Sequence, residues 1–401
     1  MIDIAVIGGG PSGMAAAIQA KKTNPLLRVC VLEKMETVGK KLSVTGNGRC
    51  NISNVGGEDL NLVLSFFSQT GVAVRREEDK LYPYSESAKE LTWRLQSFAL
   101  SIGVEIMLNT EVKRVEAVQE GGFLLFVEGN GGPAAYATRK LLISTGGKSY
   151  GNTGSTGDGF NFARKLGHSV NKLIPGLTAI ETMQNISHLK GLRSKGRASL
   201  YEYGKLIFEE SGEIQFREDS ISGICVMNMS GLIRMDQNRT FEAYLICLNF
   251  VPDFTASDLI SFLSQKAKEK GLKASCLLQT LVKNNLALEI LKRSGVSADR
   301  MAMDISNGEL IEVANNLRMF QLQVKGLKGW NEAQITIGGV KLDEIDLNTM
   351  ESKIVKNLYF SGEVLDYAGP CGGFNLHHSW LTGIKAGTAM AGEKNNSGCN
   401  E

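Results

Sequence analysis

Six residues near the start of the chain constrain its fold most: Gly8-Gly-Gly-Pro-Ser-Gly13. They follow a short apolar run, Ile4-Ala-Val-Ile7, of the kind a buried parallel strand needs. Small residues then continue through Ala15, Ala16, Ala17, Ile18 and Ala20 as a helix. Gly8, Gly10 and Gly13 stand at the G-x-G-x-x-G spacing. That spacing lets a chain turn tightly, approach a pyrophosphate closely and pack the following helix on the strand. Pro11 suits the first helical turn, where its missing N–H costs nothing, and Ser12 sits beside it. The positive end of the helix then faces phosphate. A second apolar run, Val29-Cys-Val-Leu32, ends at Glu33, which is placed to accept hydrogen bonds from ribose hydroxyls. A carboxylate there disfavours a 2′-phosphate, so NADP is set aside at this site while FAD and NAD both remain open.

The 401 residues suit two to three domains and a large core. Lys and Arg exceed Asp and Glu by 44 − 42 = +2, which gives no global pull toward nucleic acid or an anionic membrane. Seven cysteines are scattered without a C-x-x-C pair, which suits reduced thiols and neither a disulfide framework nor a metal site. The first strand leaves no room for a signal peptide and no apolar stretch is long enough to span a bilayer, so the expected location is cytoplasmic.

After Glu33, residues 34–54 are rich in glycine and polar side chains. Lys34, Lys40, Lys41 and Arg49 supply charge, and Thr45, Asn47 and Asn51 supply hydrogen bonds, while Gly39, Gly46 and Gly48 permit unusual backbone angles. The stretch reads as a loop wrapped around an anionic group.

Five blocks resemble one known family in both content and order. They are Gly39-Lys-Lys-Leu-Ser-Val-Thr-Gly-Asn-Gly-Arg-Cys-Asn51, Leu81-Tyr-Pro-Tyr-Ser-Glu-Ser-Ala88, the glycine-rich run from Ser144 to Gly159, and the segments Ile335–Val340 and Thr349–Leu376. The family is that of the BaiN/RdsA flavoproteins, also known as YhiN or aminoacetone-oxidase-like, which are NAD(P)/FAD-dependent oxidoreductases. The resemblance implies FAD at the amino-terminal clamp, with Lys34, Lys41, Thr45, Gly46, Asn47, Arg49, Cys50 and Asn51 around it. It departs locally at Gly212–Gly223, which lacks a Thr-His-x-Gly run, and at Tyr367-Ala-Gly-Pro-Cys-Gly-Gly373.

Strands are expected at Val104–Leu108, Glu111–Val115 and Phe123–Val127, and a helix over 85–100. In related flavoproteins a strand near here brings a backbone group to the adenine, which points to Val112. Leu141-Leu-Ile-Ser-Thr-Gly-Gly147 reads as a buried strand whose end, Thr145, Gly146 and Gly147, abuts the cofactor. Asp158, opening a helix to Leu166, either caps it or holds a ribityl hydroxyl. His168, just past that helix, reads as a capping or packing residue.

From about 186 to 333 the texture changes to strands and then helices. Strands are expected at Arg197–Tyr203, Lys205–Phe208, Glu213–Phe216 and Phe241–Leu248. Helices are expected at Ser257–Lys270, at Ala274–Arg293 with a break near Asn284, and at Gly308–Leu317. The basic run Lys190, Arg193, Lys195, Arg197 reads as a solvated edge, with docking of a nicotinamide dinucleotide phosphate as the sharper alternative. The expected fold is thus α/β: a Rossmann-like FAD-binding domain of the two-dinucleotide-binding flavoprotein type (1–185 and 334–401) with an inserted domain (186–333). The insert is a barrel-like sheet (186–250 and 318–333) carrying a helical part (251–317).

The chain returns through Leu358–Asp366. There Gly362 and Glu363 or Asp366 would reach the ribityl chain. Gly372 and Gly373 would aim the N–H groups of Phe374, Asn375 and Leu376 at the flavin pyrimidine ring. With one nucleotide fingerprint only, NAD(P)H is expected as a transient co-substrate that leaves hydride on the flavin. The resemblance suggests a small hydrophobic acceptor with an α,β-unsaturated ketone, of steroid or 3-oxo bile acid type. Tyr150, Tyr367 and His377 are candidate proton donors because they flank cofactor-facing turns. Cys371 reads as a packed thiol. Two other classes compete: an amine oxidase using O₂, and an RNA-modifying flavoprotein, which near-neutral charge disfavours.

Overall fold

The computed structural model describes residues 1–118, 121–234 and 239–392. The chain divides into two compact units, one of Met1–Pro175 with Gln334–Glu401 and one of Gly176–Ala333.

The first unit is built on a mixed sheet. Strand β1 (Ile2–Ile7) leads into helix α1 (Pro11–Thr23) and then strand β2 (Val29–Leu32), which pairs parallel with β1. The other side of β1 pairs parallel with the end of a long central strand, Gly132–Ile143. Leu358–Phe360 lies parallel beside that same end, and Glu105–Met107 lies beside β2. The registers bring Met107, Leu32, Ile7, Ile143 and Phe360 into one row, so five chains leave the sheet along a single carboxyl edge. Open parallel sheets bind ligands at such an edge, where the strand order reverses. Beyond it, Thr110–Ala117, Phe123–Gly129 and the first part of the central strand form an antiparallel meander.

The expected strand at 141–147 therefore starts earlier and stops at Ile143, because its first half is recruited by the hairpin register Gly129↔Gly132 to Phe123↔Thr138. The helix expected over 85–100 runs Ala88–Ser101, with the Ser87 hydroxyl accepting the Glu90 N–H as its cap.

α1 carries almost no amphipathic signal because it is buried nearly all round, Ser12 to Ile18 and Ala20 being interior. Its partner is the closing helix Phe374–Ala391. A Cβ on Gly383 would stand 2.3 Å from the Ser12 carbonyl oxygen, and one on Gly387 2.4 Å from that of Ala16. The contacts advance together along both helices, so the two run parallel, backbone against backbone.

The second unit is a closed six-stranded barrel with a helical part. Its strands, in spatial order, are Ile180–Thr182, Ser220–Ser222, Lys205–Phe216, Arg193–Glu202, Tyr244–Asn249 and Phe320–Leu327. Phe320, Leu322, Val324 and Gly326 point inward in strict alternation, as a one-sided strand requires. The two strands expected at 205–208 and 213–216 are one, since pairing with Arg193–Glu202 runs unbroken in sequence past the polar residues between them. The break expected near Asn284 separates two helices, Ala274–Leu277 and Asn284–Arg293, with Thr280 at φ +76 in the gap. Ala256–Ala267 and Asn307–Arg318 complete the helical part, the latter opened by a Ser306/Glu309 capping box.

Gly387→Ala tests the helix crossing. Alanine favours a helix by about 1 kcal/mol over glycine. A backbone oxygen at 2.4 Å cannot yield as a side chain would, and such overpacking costs about 1–3 kcal/mol or more. The urea midpoint of this variant is expected to fall, while Gly131→Ala, whose Cβ meets nothing, leaves it unchanged.

Candidate functional site

The turn after β1 is shaped by steric need. Gly8 lies at φ +104 with its would-be Cβ 2.6 Å from the Ser144 carbonyl oxygen, and a Cβ on Gly13 would stand 2.0 Å from the Gly8 oxygen. The Ser144 hydroxyl donates to the carbonyls of Ile7 and Gly8 at 2.9 and 3.1 Å, tying the ends of β1 and the central strand together. Gly10 differs: a Cβ there meets nothing within 4 Å. It is also the N-cap of α1 and supplies no side-chain acceptor, so the first helical N–H groups face open space.

The closing helix begins in the same way. Its N-cap, Gly373, is at φ +99 with no side-chain cap, and the first intrahelical bond comes from the His377 N–H. The N–H groups of Phe374, Asn375 and Leu376 are therefore uncommitted. Because Gly383 stands against Ser12, this helix begins about eight residues before α1, roughly 12 Å at 1.5 Å per residue. Two donor-rich helix ends, both pointing the same way and staggered along one direction, frame the site.

Glu33 is 9% exposed and accepts the N–H of Gly9 at 2.7 Å and of Met35 at 2.8 Å. Burial pushes its pKa up while those N–H groups oppose the shift. Each oxygen keeps acceptor capacity for a hydroxyl. Val112 is buried in the strand Thr110–Ala117, whose first N–H, from Thr110, donates to the Glu33 carbonyl at 2.9 Å.

The 34–54 stretch departs from the expected anion-wrapping loop, because each of its cations has a carboxylate of its own. Lys34 pairs with Asp158 at 2.6 Å and Lys40 with Glu36 at 2.8 Å. Lys41 pairs with Glu363 at 2.8 Å. Arg49 pairs with Glu86 at 2.5 Å and Glu77 at 2.7 Å, over the Tyr82 ring. Arg49 is thus a latch to the neighbouring three-stranded sheet rather than a free cation. Asp158 is the first helical residue, not the cap, which is Gly157. Its carboxylate takes Lys34 and the Thr156 hydroxyl.

Thr45 donates to the Leu42 carbonyl inside the 3₁₀ turn Leu42–Gly48, which contains Gly46 at φ +57. The side chain of Asn47 lies outside the described residues. Cys50 is buried at φ +57 and its thiol is pushed up to about 12 by burial, so it is no nucleophile. Asn51 Oδ1 is buried without a hydrogen-bond partner, and a Cβ on Gly373 would come within 2.8 Å of it. Gly372 is held by Asn54, which donates to its carbonyl at 3.0 Å.

Glu363 belongs to a network that sequence reasoning did not foresee as one unit. Its Oε1 accepts the Thr336 N–H at 2.7 Å and lies 3.2 Å from Ser149 Oγ. Its Oε2 takes Lys41, whose ammonium also donates to Ser149 at 2.7 Å. Gly147 is the floor: a Cβ there would stand 2.3 Å from Thr336 Oγ1 and 2.5 Å from Glu363 Oε1. Gly146 is at φ +73, and Thr145 Oγ1 packs 2.1 Å from the Cβ position of Gly159. Gly362 abuts Ser12 in the same way, at 2.5 Å. Asp366, by contrast, accepts from Asn171 at 2.5 Å.

Of the proton-donor candidates, His377 is committed. It is buried, Nδ1 meets Ser53 Oγ at 2.7 Å and Nε2 meets the Glu58 carbonyl at 2.6 Å, so it ties the 53–58 loop to the closing helix. Tyr150 sits at φ +56 in the turn after Gly147. Tyr367 lies face to face with His378, ring centroids 3.8 Å apart and planes 10° off parallel. Burial pushes the phenol up and pushes the His378 imidazole down to about 3. His168 is a packing residue as expected, held by Glu344 and Ser352 and edge-on to Phe360.

In the second unit, Lys190, Arg193 and Arg197 pair with Glu218, Glu213 and Glu209, the solvated-edge reading. Among the described residues no helix is long and apolar enough to cross a membrane.

Comparison with known proteins adds the lineage. Residues 2–63 and 58–389 match the family model described as HI0933-like protein Rossmann domain. A 3-dehydro-bile acid delta(4,6)-reductase of Clostridium scindens is 28% identical over 410 residues, 97% of this chain and 98% of the relative. A ribosomal RNA dihydrouridine synthase of Haemophilus influenzae is 25% identical over 398 residues, 94% and 95% of the two chains. Among solved structures, the open conformation of a flavocytochrome c3 fumarate reductase aligns with a TM-score of 0.52 at 16% identity, covering 97% of this chain and 78% of that one.

Burial lowers the pKa of His168 and His377 as well as that of His378. All three are neutral when folded, whereas the unfolded chain takes up protons below about pH 6.5. Their stabilisation is therefore complete above that pH and is lost as pH falls below it, ahead of the carboxylate range. Thermal melts between pH 7 and 5 are expected to show this decline, and His378→Phe, which keeps a ring against Tyr367, to flatten it.

Proposed function

The chain belongs to the HI0933-like Rossmann family of FAD-dependent oxidoreductases, and from that premise we propose that it saturates a carbon–carbon double bond conjugated to a carbonyl, with a reduced nicotinamide as hydride source. The observation that carries the cofactor assignment is the pair of parallel helix N-termini without side-chain caps, staggered by about 12 Å along their common direction. One fits a pyrophosphate at the open Gly10 position and the other a ring carrying negative charge, with a ribityl chain as the covalent spacer. The partnerless Asn51 oxygen beside Gly373 supports a polar ring edge there.

When bound, FAD supplies a two-electron carrier between nicotinamide and acceptor. The protein's own residues do the rest. Gly10, Ser12 and Gly13 bring backbone N–H groups to the pyrophosphate, Gly8, whose own N–H donates to the Leu32 carbonyl at 2.9 Å, shapes the turn, and Glu33 takes ribose hydroxyls while Val112 lines the adenine side. Phe374, Asn375 and Leu376 hold developing negative charge with N–H groups already in place, so little reorganisation is needed. The acceptor chemistry rests on what the two relatives' names share: a delta(4,6)-reductase and a dihydrouridine synthase both describe saturation of a double bond conjugated to a carbonyl. A small hydrophobic enone is favoured over RNA here because charge is near neutral and three of the four cations in the insert's basic run, Lys190, Arg193 and Arg197, pair with acids.

Tyr367 is the proposed proton donor. Its hydroxyl stays protonated because burial raises its pKa, and His378 fixes the ring. Tyr150 is the second choice, and His377 is spent on structure.

Anaerobic mixing with NADH or NADPH should bleach the flavin, and an enone should restore its colour. No bleaching with either nicotinamide sinks the proposal, peroxide release with an aminoketone alone favours an amine oxidase, and reoxidation by rRNA fragments only favours the RNA reading. Tyr367→Phe is expected to slow the enone step by roughly 10²–10⁴-fold and to leave bleaching by nicotinamide intact. Flavin-free Gly10→Ala should melt at the midpoint of flavin-free wild type, since its Cβ meets no protein atom within 4 Å, yet fail to take up FAD.

A further inference from the structure

Lys41 and Glu363 are 322 residues apart in sequence and meet at 2.8 Å, with side chains 21% and 18% exposed. The segments that carry them converge on the carboxyl edge of the sheet. Glu363 follows the strand Leu358–Phe360 and packs on Gly147, which follows the central strand. Gly362 beside it packs on Ser12 of α1. The pair is held without slack, because the carboxylate is fixed by the Thr336 N–H and Ser149, and Ser149 also accepts from the ammonium. An ammonium has three N–H donors, and only two of Lys41's are used. The third is available to an acceptor in the site. A charge pair of this kind, partly buried and aimed at a ligand edge, is neutral in sum yet asymmetric toward whatever lies against it.

The geometry points to Lys41 and Glu363 as an opposed pair that sets the reduction potential of the bound flavin, Lys41 raising it and Glu363 holding it down. This rests on the flavin reading above. Reduction by two electrons, given by a nicotinamide or a chemical reductant, with uptake of one proton adds one negative charge to the ring system. A fixed ammonium nearby stabilises that charge, and a fixed carboxylate opposes it and also weakens the ammonium's field. Thr336 and Ser149 act as positioning residues, because they decide which oxygen of Glu363 faces Lys41.

The test is the midpoint potential of the purified flavoprotein, read by slow enzymatic reduction against a reference dye, with flavin content measured alongside. Lys41→Met is expected to lower the potential, and Glu363→Gln to raise it. Each should shift the oxidised-to-reduced equilibrium by about tenfold, which is about 30 mV for a two-electron couple. Lys41→Arg should stay near the wild type. Opposite signs are the signature, since two residues that merely held the loop in place would shift the potential the same way or not at all. Shifts of the same sign, or none, overturn the proposal. If Lys41→Met fails to hold flavin, the sign for Glu363→Gln alone decides: a fall or no change refutes it. Wild-type protein that binds no flavin would instead overturn the cofactor reading itself, with the potential never measured.

Discussion

The contact on which the site depends is the crossing of α1 and the closing helix at Ser12/Gly383 and Ala16/Gly387. Backbones approach this closely only where both sides lack bulk, and here the close approach fixes a register as well as a distance. Sliding the helices by one turn, about 5 Å, would put a side chain where a carbonyl now fits. That register sets how far the closing helix projects beyond α1, and so sets the separation of two N–H clusters that belong to opposite ends of the sequence. A dinucleotide flavin is long and rigid at both ends and flexible in the middle. A site with two fixed donor ends and a glycine-lined gap matches that distribution of stiffness.

Charge is handled by cancellation. The loop after Glu33 reads as electropositive in sequence, yet each of its four cations is met by a carboxylate, and for Lys34, Lys41 and Arg49 the partner comes from another segment. Exposed pairs such as Lys40–Glu36 contribute little, because water screens them. The pairs that matter are those whose partners are fixed by backbone. In the proposed flavin site, pyrophosphate recognition would therefore fall to backbone N–H groups, which carry no countercharge and need no long side chain to be ordered. The proposed influence of the fixed pair Lys41–Glu363 would likewise come from position rather than from net charge.

How much of this is legible in sequence follows from the range of each interaction. The β1–α1–β2 clamp is local: Gly8, Gly10, Gly13 and Glu33 fall within 26 residues, and the structure gives Gly8 and Gly13 a steric reason while it leaves the Gly10 position open. The insert's alternation of strands then helices is likewise readable from periodicity. What is not readable is long-range pairing. The strand Lys205–Phe216 looks like two because Glu209–Gly212 is polar, and only its ladder with Arg193–Glu202 makes it one. Gly383 and Gly387 look like weak points in a helix until Ser12 and Ala16 are brought against them. Lys41 and Arg49 read as ligand-facing because their acids lie 28 to 322 residues away. His377 reads as a catalyst for a related reason: its flanking glycines suggest a ligand, and nothing nearby in sequence announces Ser53 and Glu58 as its partners.

The two relatives pose a problem that the site's chemistry narrows. The substrates in their names, a bile acid and a ribosomal RNA, differ greatly in size, and on the function proposed above the common element is a polarised double bond. An apparatus that serves both need only hold hydride source, proton donor and carbonyl-stabilising groups in fixed relation. On the function proposed above, rigid elements of the first unit would supply that relation: two helix ends, a phenol stacked on His378, and the Lys41–Glu363 pair. Specificity is then free to diverge elsewhere in the chain without disturbing the reaction. Tyr367-Ala-Gly-Pro-Cys-Gly-Gly373 carries Gly369, where a Cβ would stand 2.9 Å from that of Phe374, and Gly372, whose φ of +119 demands glycine. Its freedom to vary is correspondingly small, and differences in acceptor must be sought outside the glycine turns that the backbone itself demands.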